Sequence, residues 1–180
     1  AERGEEDREK EARERAQEAA GDAVDGKGGQ GEAGEEGAYE FASDIMAREE
    51  GDPWMDAQMY IQNAMTHYNT KIKSETMFQR GLENMEYLKK TMRLKADNPH
   101  DLVHCFEVRN IIENAEMILR ASIQRKESRG AHAREDFDSR DDENWLCHSM
   151  YYPTDKRVGK RAVNFEPKTV DTFQPKARTY

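Results

Sequence analysis

The sequence predicts a mainly α fold: an antiparallel three-helix bundle, spectrin-repeat-like, followed by an extended, mostly irregular C-terminal tail. Three observations lead there. Apolar residues recur at helical spacing in three successive stretches. Breakers separate the stretches at Gly51-Asp52-Pro53, near Ser74 and at Asn98-Pro99. The periodicity then stops at Lys126, and Pro153, Pro167 and Pro175 punctuate the rest of the chain. The expected boundaries are 1–50 for an acidic, Gly-rich lead-in and linker, 51–126 for the bundle, and 127–180 for a charged loop and extended tail. That loop and tail are expected to pack on the bundle or on domains that this chain does not contain.

The first helix opens after Asp52, a plausible N-cap, with Pro53 suited to the first helical position. Its apolar stripe is Trp54, Ile61, Met65, Tyr68 and Ile72. Ser74 can cap the second, whose stripe is Phe78, Leu82, Met85, Leu88 and Met92. Asn98-Pro99 opens the third. There Leu102, Phe106, Val108, Ile111, Ile112, Ala115, Ile118, Leu119 and Ile123 make the widest apolar face, which predicts the central helix. The chain has nine methionines, several of them on these stripes. They suit gap-filling in a core better than a groove for a partner helix, because each stripe already has two neighbours to face.

The lead-in differs in kind. Residues 1–36 hold 13 Asp/Glu against 6 Lys/Arg, whereas 37–180 hold 24 against 22. The acidity is therefore local, and no basic footprint suits nucleic acid. Residues 2–20 pair charges at helical spacing, as at Glu11 and Arg15, but contain no Leu, Ile, Val, Phe or Met to bury. Residues 21–37 read as a flexible linker. Within them Gly26, Gly28 and Gly31 satisfy G-x-G-x-x-G. A dinucleotide site needs a strand before that motif and a helix after it, and here the flanks are short, glycine-rich and acidic. The motif reads as chance.

No run of 18 apolar residues is present, so no membrane insertion is expected. Cys105 and Cys147 are too few for a disulfide framework and read as free thiols in a reducing compartment. His100 and His104 share one helix face, but without a further ligand pair they read as ordinary helix residues rather than a zinc site. Ser128 and His132 lack the orienting group and oxyanion hole that a nucleophile needs. No catalytic, cofactor-binding or metal-ligating residue is assigned.

The unusual stretch is Arg125 to Pro153. Charges crowd around Phe137, Trp145 and Leu146, and Gly130 stands where a left-handed helix C-cap belongs. Loops of this length carrying such residues are more often docked than free. Residues 125–137, RKESRGAHAREDF, resemble the signature of succinate dehydrogenase and fumarate reductase flavoprotein subunits. Residues 140–146, RDDENWL, are similar to the next block in that family. The ending Pro175-Lys176-Ala177-Arg178-Thr179-Tyr180 is similar to the family's terminus, and Gly51-Asp52-Pro53 to the opening of its first C-terminal helix. The likeness covers about residues 51–180. One departure is Asp138-Ser139, where the family often has Pro-Glu.

The resemblance implies the C-terminal helical domain of such a subunit, with FAD held elsewhere in the parent subunit and no cofactor in this chain. The family's catalytic and flavin-carrying residues lie in earlier domains, and none is carried over. Implied partners are the FAD-binding and capping domains of the same subunit and the iron–sulfur subunit of the complex. The implied location is cytoplasmic, peripheral on the inner face of a membrane. Arg129, His132, Arg134, Asp136, Arg140, Asp141 and Trp145 are expected to contact those neighbours, with Arg129, His132, Arg134 and Trp145 on one side. Two alternatives remain. One is a free-standing helical interaction module. The other is the same domain of a related flavoprotein, such as an adenylylsulfate reductase alpha subunit or an aspartate oxidase.

Overall fold

The computed structural model describes residues 32–173 and 176. The expectations for residues 2–20, for the glycine motif at 26–31 and for most of the final hexapeptide lie outside the described residues. The order is α1 (Glu32–Ala47), β1 (Asp52–Pro53), α2 (Trp54–Tyr68), α3 (Glu75–Thr91), β2 (Leu94–Lys95), α4 (Pro99–Gln124), α5 (Asp142–Trp145), β3 (Cys147–Tyr152) and β4 (Arg157–Ala162). The fold is mainly α, as the periodicity predicts.

Helices α2, α3 and α4 each pack on the other two, and α4 also supports β3 and β4. The centre is mostly apolar: Ile61, Phe78, Met85, Cys105, Val108 and Leu119 are completely buried. α4 supplies more buried residues than any other helix, which fits its wide apolar face. Asn98 caps it by accepting from Asp101 N at 3.0 Å, with Pro99 at the first position. The indole of Trp54 donates to Asp101 Oδ1 at 3.1 Å and so ties the start of α2 to the start of α4.

Several expectations need correction. The packed region reaches back beyond residue 51, because Ala42 and Ile45 of α1 are fully buried in the same core. Burying one Ile contributes roughly 1.5–3 kcal/mol, reason enough for a short amphipathic helix to dock. Asp52 is not the N-cap of α2; that position is Pro53, without a side-chain bond. Asp52 instead receives the Arg93 amide on Oδ2 at 2.7 Å and donates its own amide to Arg93 O, next to the parallel pairing of β1 with β2. Ile72 and Ile118 are 61% and 40% exposed rather than buried on the stripes. Within the mostly irregular tail, β3 and β4 form an antiparallel hairpin. Its second strand covers 157–162, entered through a turn in which Lys156 is left-handed (φ 54°).

Candidate functional site

Residues 125–146 leave the C-terminus of α4 and return to the N-terminus of α3. Arg125, not Gly130, is the C-cap of α4. Gly130 forms the tip of a tight turn in which Arg129 and His132 exchange both backbone hydrogen bonds, at 2.9 and 3.0 Å. Its φ of +57° is one that glycine adopts without a Cβ penalty. Beyond the turn the chain lies along Lys73: Lys73 N donates to Ala133 O at 3.1 Å, and Glu135 N to Lys73 O at 2.9 Å.

Two buried ions organise this segment. Arg134 is 2% exposed. Its Nη1 donates to Ser122 O, Ile123 O and Arg125 O at 3.0–3.3 Å, satisfying carbonyls that the end of α4 leaves open. Its other face is paired with Asp136, Nε–Oδ1 at 2.7 Å and Nη2–Oδ2 at 2.5 Å, and reaches Glu75 at 3.4 Å. The guanidinium lies over Phe137 and Phe78, at 4.7 and 5.5 Å from the ring centroids. Asp136 Oδ2 in turn accepts from Glu75 N at 2.9 Å, so it caps α3 in place of Ser74, which makes no capping bond. The bonds from Arg134 hold the Asp136 carboxyl down at about 2, against the smaller opposing effect of burial.

The second ion is Glu127, with no exposed surface. It accepts from Arg129 Nε and Nη2 at 2.8 and 3.0 Å, from Asp141 N at 2.9 Å, and from Arg125. Burial pushes its carboxyl up, but the hydrogen bonds led by Arg129 outweigh this and hold it below the usual range. Arg129 is correspondingly held more basic by Glu127. A rim grows outward from this post. Arg129 Nη2 reaches Asp142 Oδ1 at 2.6 Å. Arg140 grips the same carboxylate at 2.7 and 2.6 Å and donates to Lys176 O at 2.8 Å. Asp141 caps α5 by accepting from Asn144 N at 3.0 Å.

The seven expected contact residues therefore divide. Arg134 points inward, since every N–H of its guanidinium is taken up by the chain itself. Asp136 serves α3 and Arg134. Trp145 is only 7% exposed and sits between Arg125 and Lys160, whose Nζ is 3.4 Å from the ring centroid. His132 stacks on Phe78 (ring centroids 6.0 Å apart, interplanar angle 7°) and bonds Arg125 O at 3.1 Å; burial lowers its pKa. Arg129, Arg140 and Asp141 stay part-exposed. Within this chain they form a buried frame, Arg134 and Trp145, with a part-exposed charged rim, Arg129, Arg140 and Asp141. Buried Arg and Glu cannot stay unpaired in a low dielectric, so they recruited local partners.

Ser128 and His132 do not meet as nucleophile and base. Ser128 Oγ accepts from Arg134 N at 2.8 Å and donates to Phe137 O at 2.7 Å. His104 stacks on Trp54 at 4.0 Å and bonds Glu107 at 2.7 Å. Among the described residues no group of three or more His, Cys, Asp or Glu is placed to hold a metal ion. Both Cys105 and Cys147 are free. Side chains cap the N-termini of α3, α4 and α5: Asp136, Asn98 and Asp141 accept from Glu75 N, Asp101 N and Asn144 N.

Sequence reasoning missed Glu116. It is 1% exposed on α4 and gathers three cations: Lys89 of α3, Arg120 at 2.8 Å and Lys156 of the hairpin turn at 2.9 Å. Burial pushes its carboxyl up, yet the bonds from Lys89, Lys156 and Arg120 win and hold it at about 2. The signal was available: Glu116 is a carboxylate within the apolar run of Ile112, Ala115 and Leu119.

Residues 58–180 match the family model described as fumarate reductase flavoprotein C-term. The chain belongs to that family. It is 45% identical over 84 residues to the mitochondrial succinate dehydrogenase [ubiquinone] flavoprotein subunit of Oryza sativa subsp. japonica, covering 44% of this chain and 13% of the relative. It is 33% identical over 124 residues to the Coxiella burnetii succinate dehydrogenase flavoprotein subunit, covering 66% of this chain and 21% of the relative. A solved structure of E. coli quinol fumarate reductase superposes with a TM-score of 0.61 at 22% identity, over 83% of this chain and 28% of that one. The flavoprotein C-terminal domain thus spans only about a fifth or less of the curated relatives it matches. Among the described residues no helix is long and apolar enough to cross a membrane.

Proposed function

We propose that this flavoprotein C-terminal domain works by packing rather than by chemistry. It docks against the FAD-binding and capping domains of a subunit that interconverts succinate and fumarate and passes electrons to an iron–sulfur subunit. FAD belongs to those other domains. The observation that carries the reading is the Arg129–Asp142–Arg140 rim. It is part-exposed, charged and held in place by the buried Glu127, so it offers a neighbour a preorganised set of guanidinium and carboxylate groups.

The test uses the purified chain and a chimera in which residues 51–180 replace the matched segment of the Coxiella burnetii subunit. The chain alone, supplied with FAD, should retain no flavin and should not reduce fumarate with a reduced dye. The chimera should hold flavin. Arg129→Ala and Arg140→Ala should lower its flavin occupancy severalfold while the chain alone keeps its folded circular dichroism. Stoichiometric flavin or turnover in the isolated chain overturns the reading. So does a chimera whose flavin occupancy is indifferent to both substitutions.

A further inference from the structure

His132 stands where three parts of the chain meet. Its ring stacks on Phe78 of α3. Its Nε2 lies 3.1 Å from Arg125 O at the end of α4, and its backbone closes the tight turn with Arg129. A carbonyl oxygen only accepts, so Nε2 carries the hydrogen of the neutral ring. A second proton must go on Nδ1, which has no hydrogen-bond partner among the described residues.

The surroundings of that proton are cationic. Arg134 Nη1 donates to the same carbonyl, Arg125 O, at 3.1 Å, and its guanidinium faces the same Phe78 ring. Imidazole and guanidinium are therefore neighbours already. Lys73 and Arg125 add their charges, with Lys73 Nζ held 3.2 Å from Ala131 O, the residue before His132. The carboxylates of the segment are committed elsewhere. Asp136 and Glu75 face Arg134, Glu127 is held by Arg129 and Arg125, and Glu135 is exposed. An imidazolium here would be a fourth, half-buried cation with one unpartnered N–H.

We propose that His132 is an acid-sensitive latch: when its ring takes up a proton, residues 131–136 lift off Lys73 and the start of α3 while the three-helix core stays folded. Few bonds have to go, namely Lys73 N to Ala133 O, Glu135 N to Lys73 O and Glu75 N to Asp136, so the opening is local. Its sign follows from the ring's environment. Burial, joined by the three cations, outweighs the bond to Arg125 O and lowers the proton affinity of the closed form below the ordinary 6.5. The open form then binds the proton more tightly. The latch holds above pH 6.5 and weakens as pH falls below it, well before Asp136 and Glu116, both held at about 2, give way. This device belongs to the segment itself and is independent of what docks on the Arg129–Arg140 rim.

The full chain is taken from pH 7.5 to 5.5 while NMR follows the His132 ring proton and amide exchange, the latter corrected for its intrinsic rate. Protection at Lys73 and Glu135 should fall severalfold, and protection at Ile112–Leu119 should hold. The His132 ring should titrate below histidine in the chain unfolded by urea. Lys73→Gln, which withdraws one facing cation but keeps a donor, should move that titration upward. His132→Gln, which cannot titrate, should abolish the pH dependence of protection. Constant protection across the range overturns the proposal. So does a loss shared equally by the core, or one that persists in His132→Gln. If His132→Gln fails to fold, the native titration and Lys73→Gln decide: a ring that titrates like unfolded histidine, or a midpoint that ignores Lys73, also overturns it.

Discussion

Arg134 and Asp136, two residues apart and locked together by paired bonds of 2.7 and 2.5 Å, cap two different helices at opposite ends. The cation meets the last carbonyls of α4 while the anion meets the first amide of α3. Each sits at the helix end whose partial charge it complements. Arg134→Met should therefore cost about 3–5 kcal/mol, because it leaves Asp136 and several carbonyls without their partner. Urea unfolding monitored by circular dichroism reads this directly. Arg134→Lys should recover little, since a point charge cannot serve Asp136 and three carbonyls at once. A loss below about 1 kcal/mol for both would mean that water replaces the guanidinium at no cost.

Glu116 should write itself into the acid limb of stability. Its carboxyl is held at about 2 in the folded chain against an ordinary 4.5. A depressed carboxylate stabilises fully above its unfolded pKa, and the contribution is lost as pH falls from about 4.5 through 2. The size is on the order of 2–3 kcal/mol at neutral pH. Glu116→Gln should be destabilised at pH 7, and its deficit relative to the native chain should shrink steadily toward pH 2. Unfolding free energies at pH 7, 4 and 2.5 check this; a deficit independent of pH would refute it.

Gly81 lies in close contact with Tyr68 of α2 and Leu119 of α4. A Cβ there would stand 2.8 Å from Tyr68 Cβ and 3.1 Å from Leu119 Cδ2. Alanine gains about 1 kcal/mol of helix propensity, while overpacking costs typically 1–3 kcal/mol. The contact is with a Cβ atom near the backbone of α2, so strain should win. Gly81→Ala should lower the thermal midpoint, whereas an exposed-site control such as Gln79→Ala should not. A stabilised Gly81→Ala would show that α2 yields at no cost.

Trp145 should anchor the hairpin. Removing its ring, flanked by Lys160 and Arg125, leaves a void at the junction of α5 and β3. Buried Trp→Ala typically costs 3–5 kcal/mol. Amide exchange in β3 and β4 should accelerate by orders of magnitude in Trp145→Ala, while exchange around Ile112–Leu119 changes much less. Equal acceleration in both regions would contradict a locally held hairpin.

The helical stripes were legible because burial of Phe78, Met85, Val108 and Leu119 follows from spacing alone. Asn98-Pro99 was legible as a start because both residues act locally. What the spacing could not show was partnership across distance. Ser74 had the right chemistry for a cap, but the capping carboxylate came from Asp136, far along the chain. Gly130 matched a helix terminus by position, yet Arg134 did that work and freed the glycine for a turn. The charged block was recognisable as more than a solvated loop. Its inward half, Arg134 and Trp145, could not be separated from its outward half, Arg129 and Arg140, without knowing that Glu127 is buried between them. α1 was hidden by its acidic, glycine-rich surroundings, which obscured Ala42 and Ile45.

The bonds joining Lys73 to Ala133 and Glu75 to Asp136 have a consequence for how the chain acquires its shape. The α2–α3 and α3–α4 hairpins involve neighbours in sequence and can form on the fast timescale of helical proteins. The clasp at Glu75 and Asp136 closes a separation of 61 residues. Its closure entropy must be met before any of its bonds contributes, so it should assemble after the helices have docked. A refolding experiment should show helix signal first and Trp145 burial second. During that interval the ends of α3 and α4 are uncapped, and this is when a nascent chain is most open to proteolysis or to capture by a chaperone.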